Sequence, residues 1–243
     1  MTSFSRKILP PLVFFACLAS LAAAAEQATL HAAIDPAPRE GKSWMQRHEQ
    51  MNARVAQGNV GLLMIGDSIT HGWEGAGKAV WEKYYAKRNA VNLGIGGDRT
   101  QHVLWRLQNG NIKGIAPRLA VLMIGTNNSG SNSPEEIAEG IEAIVSYLRE
   151  ELPQTKVLIL AIFARGPNND DPRRQVNEKT NAIIAKLADG EMVHFLDIND
   201  KFLDDDGTLP KEIMPDLLHP REKGYGIWAE AMEPTIARLM DEK

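Results

Sequence analysis

Apolar residues along the chain follow two patterns: short unbroken runs, and longer segments in which they recur every three or four positions. The runs at residues 60–66, 119–124 and 157–163 contain no polar side chain and predict strands buried on both faces. Two shorter runs, at residues 90–93 and 193–196, each contain one polar residue and also predict strands, which makes five. The spaced segments predict amphipathic helices over residues 44–55, 80–85, 100–107, 134–148, 176–187 and 225–240. Strands that alternate with helices form parallel sheets with right-handed crossovers and helices on both faces. The pattern therefore predicts an α/β fold, a three-layer α/β/α sandwich around a five-stranded parallel sheet.

Local chemistry marks the starts of two of these helices. Ser133 followed by Pro134 is typical of a helix that begins with proline at its first position. Asp98 or Thr100 is expected to cap the helix over residues 100–107. The shortest apolar run, at residues 193–196, is expected at an edge of the sheet.

Composition narrows the class of protein. With 243 residues, of which 44% are hydrophobic and 24% charged, the chain suits one α/β domain with a full core. The formal net charge of −4 indicates no nucleic-acid partner. Cys17 is the only cysteine, which excludes a disulfide framework and a cysteine-rich metal site.

The first residues are typical of a secretory signal. Arg6 and Lys7 precede an apolar stretch over residues 8–25 that ends in four alanines. The alternative is an uncleaved membrane anchor, which a proline pair and the alanine tail disfavour. We expect cleavage near Ala25 and a secreted or periplasmic protein without a stable membrane span after cleavage.

This assignment divides the chain into three parts. Residues 1–25 are predicted to be the signal peptide. Residues 26–39, which contain two prolines, are predicted to form an N-terminal tether. Residues 40–243 are then the folded domain, because no linker or internal repeat divides them.

Three predicted strands end in polar loops that contain glycine. Ser68 follows the first strand, residues 94–98 follow the second, and residues 126–128 follow the third. In a parallel sheet these ends share one rim, where α/β proteins place their ligands. The loops bring together a hydroxyl, free backbone amides and a side-chain carboxamide, the groups that acyl transfer requires. The alternative for Ser68 is a turn with a helix cap.

A base for this chemistry is found near the C-terminus. Asp216 precedes His219 by three residues, so its carboxylate can fold back in one turn and bond Nδ1 of the ring. That bond leaves Nε2 free to take the proton of Ser68. Taken alone, Asp216 is a turn former and His219 a surface imidazole; the three rim loops favour the catalytic interpretation.

Four segments together resemble the SGNH (GDSL-type) hydrolases. They are Gly-Asp-Ser at 66–68, Asn-Leu-Gly-Ile-Gly-Gly at 92–97, Gly-Thr-Asn at 125–127 and Asp-Leu-Leu-His at 216–219. The amino-acid sequence of residues 92–110 most resembles that of the catalytic subunits of platelet-activating factor acetylhydrolase type I. The predicted secretory leader distinguishes this chain from that group, whose members are intracellular. The resemblance implies a flavodoxin-like fold, and it is compatible with a homodimer.

The resemblance also implies a role for each matching residue. Ser68 would be the nucleophile, His219 the general base and then acid, and Asp216 the residue that orients His219. The backbone amides of Ser68 and Gly97, with the carboxamide of Asn127, would form the oxyanion hole.

Residues beside these positions are candidates for specificity or support. Ile69, Thr126 and Leu218 each adjoin a predicted catalytic residue, and we hypothesise that they bind the substrate and narrow the acyl pocket to short chains. The alternative is that Ile69 and Leu218 belong to the core. Asp67 is expected to make a structural hydrogen bond or cap, since neighbouring side chains diverge.

The sequence therefore predicts a secreted or periplasmic serine esterase. It would hydrolyse short-chain esters, acetyl above all and carried on carbohydrates, through an acyl-enzyme that requires no metal or cofactor. A lipid-directed acetylhydrolase or lysophospholipase and a thioesterase are the alternative enzymes. The alternative outside enzymes is a catalytically silent binding module of the same fold.

Overall fold

The computed structural model describes residues 31–242, so the predicted signal peptide lies outside the described residues. Five parallel strands form one sheet in the order β2-β1-β3-β4-β5. Their bounds are β1 Leu62–Gly66, β2 Ala90–Gly94, β3 Leu119–Met123, β4 Lys156–Leu160 and β5 Val193–Leu196. The predicted parallel sheet is confirmed, with the shortest strand at an edge.

Helices cover both faces of this sheet. They are α1 Lys42–Ala56, α2 Ser68–His71, α3 Lys78–Tyr84, α4 Thr100–Arg106, α5 Pro134–Glu151, α6 Pro172–Ile184 and α7 Glu222–Leu239. Successive residues of a strand point to opposite faces, so Leu63 and Ile65 join one core while Leu62 and Met64 join the other. The first core contains residues of α1, α4 and α5, and the second contains residues of α7. The three-layer α/β/α prediction is confirmed.

The strand order determines where the sheet offers a crevice. β1 lies between β2 and β3, so the chain leaves β1 towards one neighbour and returns past it to the other. In open α/β sheets ligands bind outside the carboxyl ends of the strands at such a switch point. Ser68 directly follows β1 and Asn127 follows β3, which places both residues at this crevice.

The start of α5 is as predicted, whereas those of α4 and α6 differ. Ser133 accepts from the N–H of Glu136, whose carboxylate accepts in return from the Ser133 N–H. Asp171 caps α6, so the helix begins at Pro172, earlier than the apolar spacing alone indicates. The cap predicted for α4 is wrong.

Neither Asp98 nor Thr100 caps α4. The N-cap residue is Arg99, whose backbone N–H donates to Nδ1 of His102 at 3.0 Å. The carboxylate of Asp98 is instead bonded to Trp44 and Arg106. The carboxylate that local spacing assigns to the helix end is thus taken by a buried ion pair and by a hydrogen bond from α1.

The described part of the predicted tether, residues 31–39, is packed against the domain. Ala33 is fully buried and its carbonyl accepts a 2.8 Å hydrogen bond from Oγ1 of Thr100. A Cβ on Gly140 would lie 2.7 Å from that carbonyl oxygen, so α5 needs glycine there for the segment to pass. Arg39 donates to the carbonyl of Gly96. The described part of the predicted tether therefore packs against the predicted domain and makes hydrogen bonds to it. Within the described residues, none of the helices combines the length and apolarity needed to cross a bilayer.

Candidate active site

Ser68, His219 and Asp216 form one hydrogen-bonded chain at the carboxyl end of the sheet. Oγ of Ser68 lies 2.8 Å from Nε2 of His219. Nδ1 of the same ring lies 2.6 Å from Oδ2 of Asp216. The second oxygen of Asp216 accepts from the backbone N–H groups of His219, at 2.7 Å, and Leu218, at 3.1 Å. The structure thus brings together the three residues predicted to form the triad, with Asp216 holding both the ring and its backbone.

The turn after β1 presents Ser68. A Cβ on Gly66 would lie 2.5 Å from the carbonyl oxygen of Met123, so only glycine allows β1 to end this close to β3. Oδ1 of Asp67 accepts from the N–H of Ile69 at 2.9 Å and caps α2, as expected. Ser68 is the first residue of the helix, where no intrahelical carbonyl can pair with its N–H. Its hydroxyl and its amide are therefore presented together.

A side-chain hydrogen bond from α7 holds the other side of this turn. The hydroxyl of Tyr225 donates to the carbonyl of Ile69 at 2.7 Å. Because His219 lies just before α7, the same helix supports both the base and the turn that presents Ser68. The chain gives no local signal for this bond, since 156 residues separate its partners.

The loop after β2 lies beside Ser68. A Cβ on Gly96 would lie 3.8 Å from Cβ of Ser68. Gly97 has a φ of +78°, a conformation that favours glycine, and is exposed. A Cβ there would lie 3.0 Å from Nη1 of Arg39. The predicted oxyanion amide therefore sits in a tight loop beneath a guanidinium group.

Asn127 is held at the same rim from the third loop. Its Nδ2 donates to the carbonyl of Asp98 at 2.9 Å and to Oδ2 of Asp67 at 3.3 Å. One carboxamide thus connects the turn after β1 with the loop after β2. The longer bond is the one to Asp67, on the side of Ser68.

The pKa values of two carboxyl groups of the site, Asp67 and Asp216, are shifted in opposite directions. Burial raises the pKa of Asp67 to about 7, with a further contribution from the nearby charge of Asp98, against the opposing hydrogen bond from Ile69. Partial burial acts to raise the pKa of Asp216, but hydrogen bonds from His219 outweigh it and the pKa lies below its ordinary value. Asp216 therefore stays ionised where it faces the ring, and Asp67 holds its proton to near-neutral pH.

A buried ion pair supports the loop after β2. Asp98 and Arg106 are fully buried, with Oδ2 of Asp98 2.9 Å from Nε of Arg106 and Oδ1 2.7 Å from Nε1 of Trp44. Arg106 also donates to the carbonyl of Leu93 at 2.9 Å. This ion pair was not among the sequence predictions; its one signal in the sequence is an arginine within the apolar spacing of the predicted helix.

The predicted substrate-binding residues differ in exposure. Ile69 is 1% exposed and belongs to the second core, which favours the core alternative over a place in the acyl pocket. Thr126 is also buried, and its Oγ1 accepts from Arg165 at 3.1 Å and from Asn177 at 3.3 Å. Leu218 is half-buried at the edge of the second core and stays the remaining candidate beside His219.

Metal ions in proteins are held by clusters of acidic, histidine and cysteine side chains. Within residues 31–242, no group of three or more such side chains is placed to hold a metal ion.

Comparison with known proteins supplies independent findings. A model of the GDSL-like lipase/acylhydrolase family matches residues 64–227. Human platelet-activating factor acetylhydrolase IB subunit alpha1 is 36% identical over 201 residues, which cover 81% of this chain and 84% of the relative. Two solved structures share the fold at 19% identity. One is a GDSL-like lipase from Bacteroides thetaiotaomicron, with a TM-score of 0.63 over 79% of this chain and 97% of the other. The other is a variant acetyl-xylooligosaccharide esterase from Geobacillus, with a TM-score of 0.59 over 76% and 97%.

Proposed function

Because this chain belongs to the GDSL-like lipase/acylhydrolase family and is a carboxylic ester hydrolase, we propose that it cleaves short-chain esters through an acyl-enzyme on Ser68. One observation carries the proposal: the hydrogen bonds that join Asp216, His219 and Ser68, at 2.6 Å and 2.8 Å. A serine activated by an oriented imidazole is a nucleophile suited to acyl transfer.

In the first half of the reaction, Oγ of Ser68 attacks the ester carbonyl while Nε2 of His219 takes the hydroxyl proton. The C–O bond to the alcohol then breaks, and the imidazolium gives its proton to the leaving oxygen. Asp216 stabilises the imidazolium through Nδ1 and keeps the ring in the tautomer that leaves Nε2 free.

Negative charge that develops on the carbonyl oxygen needs donors in place before the reaction. The Ser68 and Gly97 amides are the backbone donors that we propose, and Asn127 is the side-chain donor. Asn127 serves this role by redirecting the weaker of its two hydrogen bonds, the 3.3 Å bond to Asp67, towards the oxyanion.

In the second half, water attacks the acyl-enzyme. His219 takes a proton from the water and returns it to Oγ of Ser68 when the acyl group leaves as a carboxylic acid. The same residues thus serve both halves, and no step draws on a metal ion.

For the substrate, we propose acetyl esters of carbohydrates outside the cytoplasm. The signal-like start of the chain supports a secreted or periplasmic site of action. The solved structure from Geobacillus is named an acetyl-xylooligosaccharide esterase, although at 19% identity it shares the fold alone. An acetylated lipid is the second candidate, favoured by the 36% identity to an acetylhydrolase subunit named for platelet-activating factor.

A fluorophosphonate probe tests the nucleophile. We expect the protein to take up one probe molecule, Ser68→Ala to take up none, and Ser146→Ala, which changes an exposed serine of α5, to label like the parent. Intact-mass measurement reads the adduct. Absence of labelling in the folded parent protein would identify a silent binding module.

A pair of substrates tests whether the alcohol that carries the acetyl group is a carbohydrate or a lipid. Acetylated xylo-oligosaccharides and a 2-acetyl ether phospholipid are compared by acetate release, and the proposal expects the higher kcat/KM for the sugar ester. A higher kcat/KM for the lipid would favour the second candidate.

A further inference from the structure

Arg165 is a half-buried cation at the rim beside the site. It follows the fourth strand, and its Nη1 donates to the carbonyl of Thr126 at 3.2 Å and to Oγ1 of Thr126 at 3.1 Å. These bonds place the guanidinium next to the loop that carries Asn127. None of the ion pairs within residues 31–242 includes Arg165. A partly desolvated charge without a counter-ion is costly unless a ligand supplies one.

Arg39 is a second cation, on the opposite side of Ser68. Its Nη1 donates to the carbonyl of Gly96, and its guanidinium lies over Gly97. Its nearest carboxylate is Asp98, at 3.5 Å, which is already bonded to Arg106 at 2.9 Å. One carboxylate therefore faces two guanidinium groups, and the cluster has a net positive charge. The Arg39 side chain is 34% exposed, so it remains accessible from the cleft.

The neighbouring carboxyl groups offset these cations only in part. Burial, together with the nearby charge of Arg173, lowers the pKa of Arg165, while Asp171, Asp67 and Asp216 act to raise it. Asp171 already accepts from the backbone N–H groups of Arg173 and Arg174 at the start of α6. Asp216 is engaged with His219, and Asp67, with its pKa of about 7, is only partly ionised near neutral pH. Within residues 31–242, Arg165 therefore has no ion-pair partner and Arg39 shares its one carboxylate with Arg106, although the whole chain has a net charge of −4.

We infer that Arg39 and Arg165 form an anion-recognition rim, so that the preferred substrates are esters that also carry a carboxylate or a phosphate. Guanidinium groups suit this task because their planar donors match such anions and are weakly hydrated. An acetylated uronic acid and an acetylated phospholipid both present this chemistry. The inference rests on the proposed esterase function, which it narrows to anionic substrates.

A matched pair of small esters measures the effect of charge alone. The probes are 3-acetoxybenzoate and its methyl ester, which share the acetyl group and the phenol but differ by one negative charge. The readout is the ratio of their kcat/KM values, anion over neutral. A loss of loop structure lowers both values together, whereas loss of anion recognition changes the ratio.

We expect Arg165→Gln and Arg39→Gln each to lower this ratio by about tenfold, the loss typical of one charge-assisted hydrogen bond. Arg39→Lys should retain most of the ratio. Arg118→Gln is the control, because Arg118 is an exposed arginine that precedes β3 at the opposite end of the sheet. In the parent protein the ratio should fall as salt is added. A ratio unchanged in both glutamine variants overturns the inference.

Binding to Ser68→Ala separates this inference from the proposed function. In this variant, titration calorimetry should find tighter binding of 3-acetoxybenzoate than of its methyl ester, and the added Arg165→Gln change should reduce the difference. Equal binding of the two esters overturns the anion rim, whatever the catalytic result. Failure of the parent protein to hydrolyse either ester or to label counts against the esterase proposal alone. Acetylated galacturonate against acetylated galactose, and a 2-acetyl phospholipid against its neutral glyceride, then distinguish the two sources of the anion.

Discussion

Nε2 of His219 lies 2.8 Å from Oγ of Ser68, although 151 residues separate the two in the chain. Ser68 follows the strand at the sheet's switch point, and His219 precedes the last helix, which is bonded to the serine turn through Tyr225. The distance is that of a normal hydrogen bond, so the pair is poised for proton transfer without rearrangement.

The bond between His219 and Asp216 predicts the cost of removing the carboxylate. Asp216→Asn should lower kcat by about 10²–10⁴-fold, since the ring loses the group that selects its tautomer and stabilises its charged form. Asp205→Asn, at an exposed turn, is a control that should leave kcat unchanged. Steady-state rates with p-nitrophenyl acetate measure the effect. A full rate in Asp216→Asn would show that another group orients the base.

Removal of the Asn127 carboxamide tests the oxyanion hole. Asn127→Ala should lower kcat by about 10²–10³-fold with little change in KM, because the lost donor acts on charge that exists only in the transition state. Asn132→Ala, a change in the same loop region, is the comparison variant. An effect confined to KM would contradict an oxyanion role.

The raised pKa of Asp67 predicts a pH dependence of stability. The folded protein holds this proton to about pH 7, whereas the carboxyl in the unfolded chain loses it near its ordinary value of 3.8. The contribution of Asp67 to the free energy of unfolding therefore falls as the pH rises between these two values. Asp67→Asn lacks the titration, so its free energy of unfolding relative to the parent should rise with pH, by at most about 4 kcal/mol at 1.36 kcal/mol per pKa unit.

Urea unfolding of both proteins between about pH 4 and pH 8 gives this difference at each pH. Other titrating groups are common to both proteins and cancel. A difference that stays constant across the range would mean that Asp67 ionises with an ordinary pKa.

The buried pair of Asp98 and Arg106 predicts a large loss of stability when one partner is neutralised. Asp98→Asn should lower the free energy of unfolding by about 3–5 kcal/mol, because Arg106 is then a buried charge without a counter-ion. Asp200→Asn breaks the exposed pair with Lys201 and should cost less than about 1 kcal/mol. Equal costs in the two variants would show that the buried pair contributes no more than a surface one.

A series of p-nitrophenyl esters tests the short acyl pocket. We expect kcat/KM to fall from acetate to octanoate, with Leu218 as the remaining side chain that limits the space near His219. Leu218→Ala should move the optimum towards longer chains. A preference of the parent protein for octanoate over acetate would refute the short-chain proposal.

The sequence by itself determined the elements and the order of the four segments that carry the chemistry. Unbroken apolar runs identify buried strands because a parallel sheet covered on both faces has no polar side. The pairing of Asp216 with His219 was also predictable, because two residues that are three positions apart can meet within one turn.

Only the tertiary structure decided which groups outside the four segments meet to support the site. The bond from Trp44 to Asp98, the bond from Tyr225 to Ile69 and the packing of residues 31–39 join parts of the chain far apart in sequence. The sequence likewise left open whether Ile69 faces the cleft or the core. Local periodicity records which face of an element is apolar; which partner covers that face depends on how helices and strands pack together, and that is a property of the whole fold.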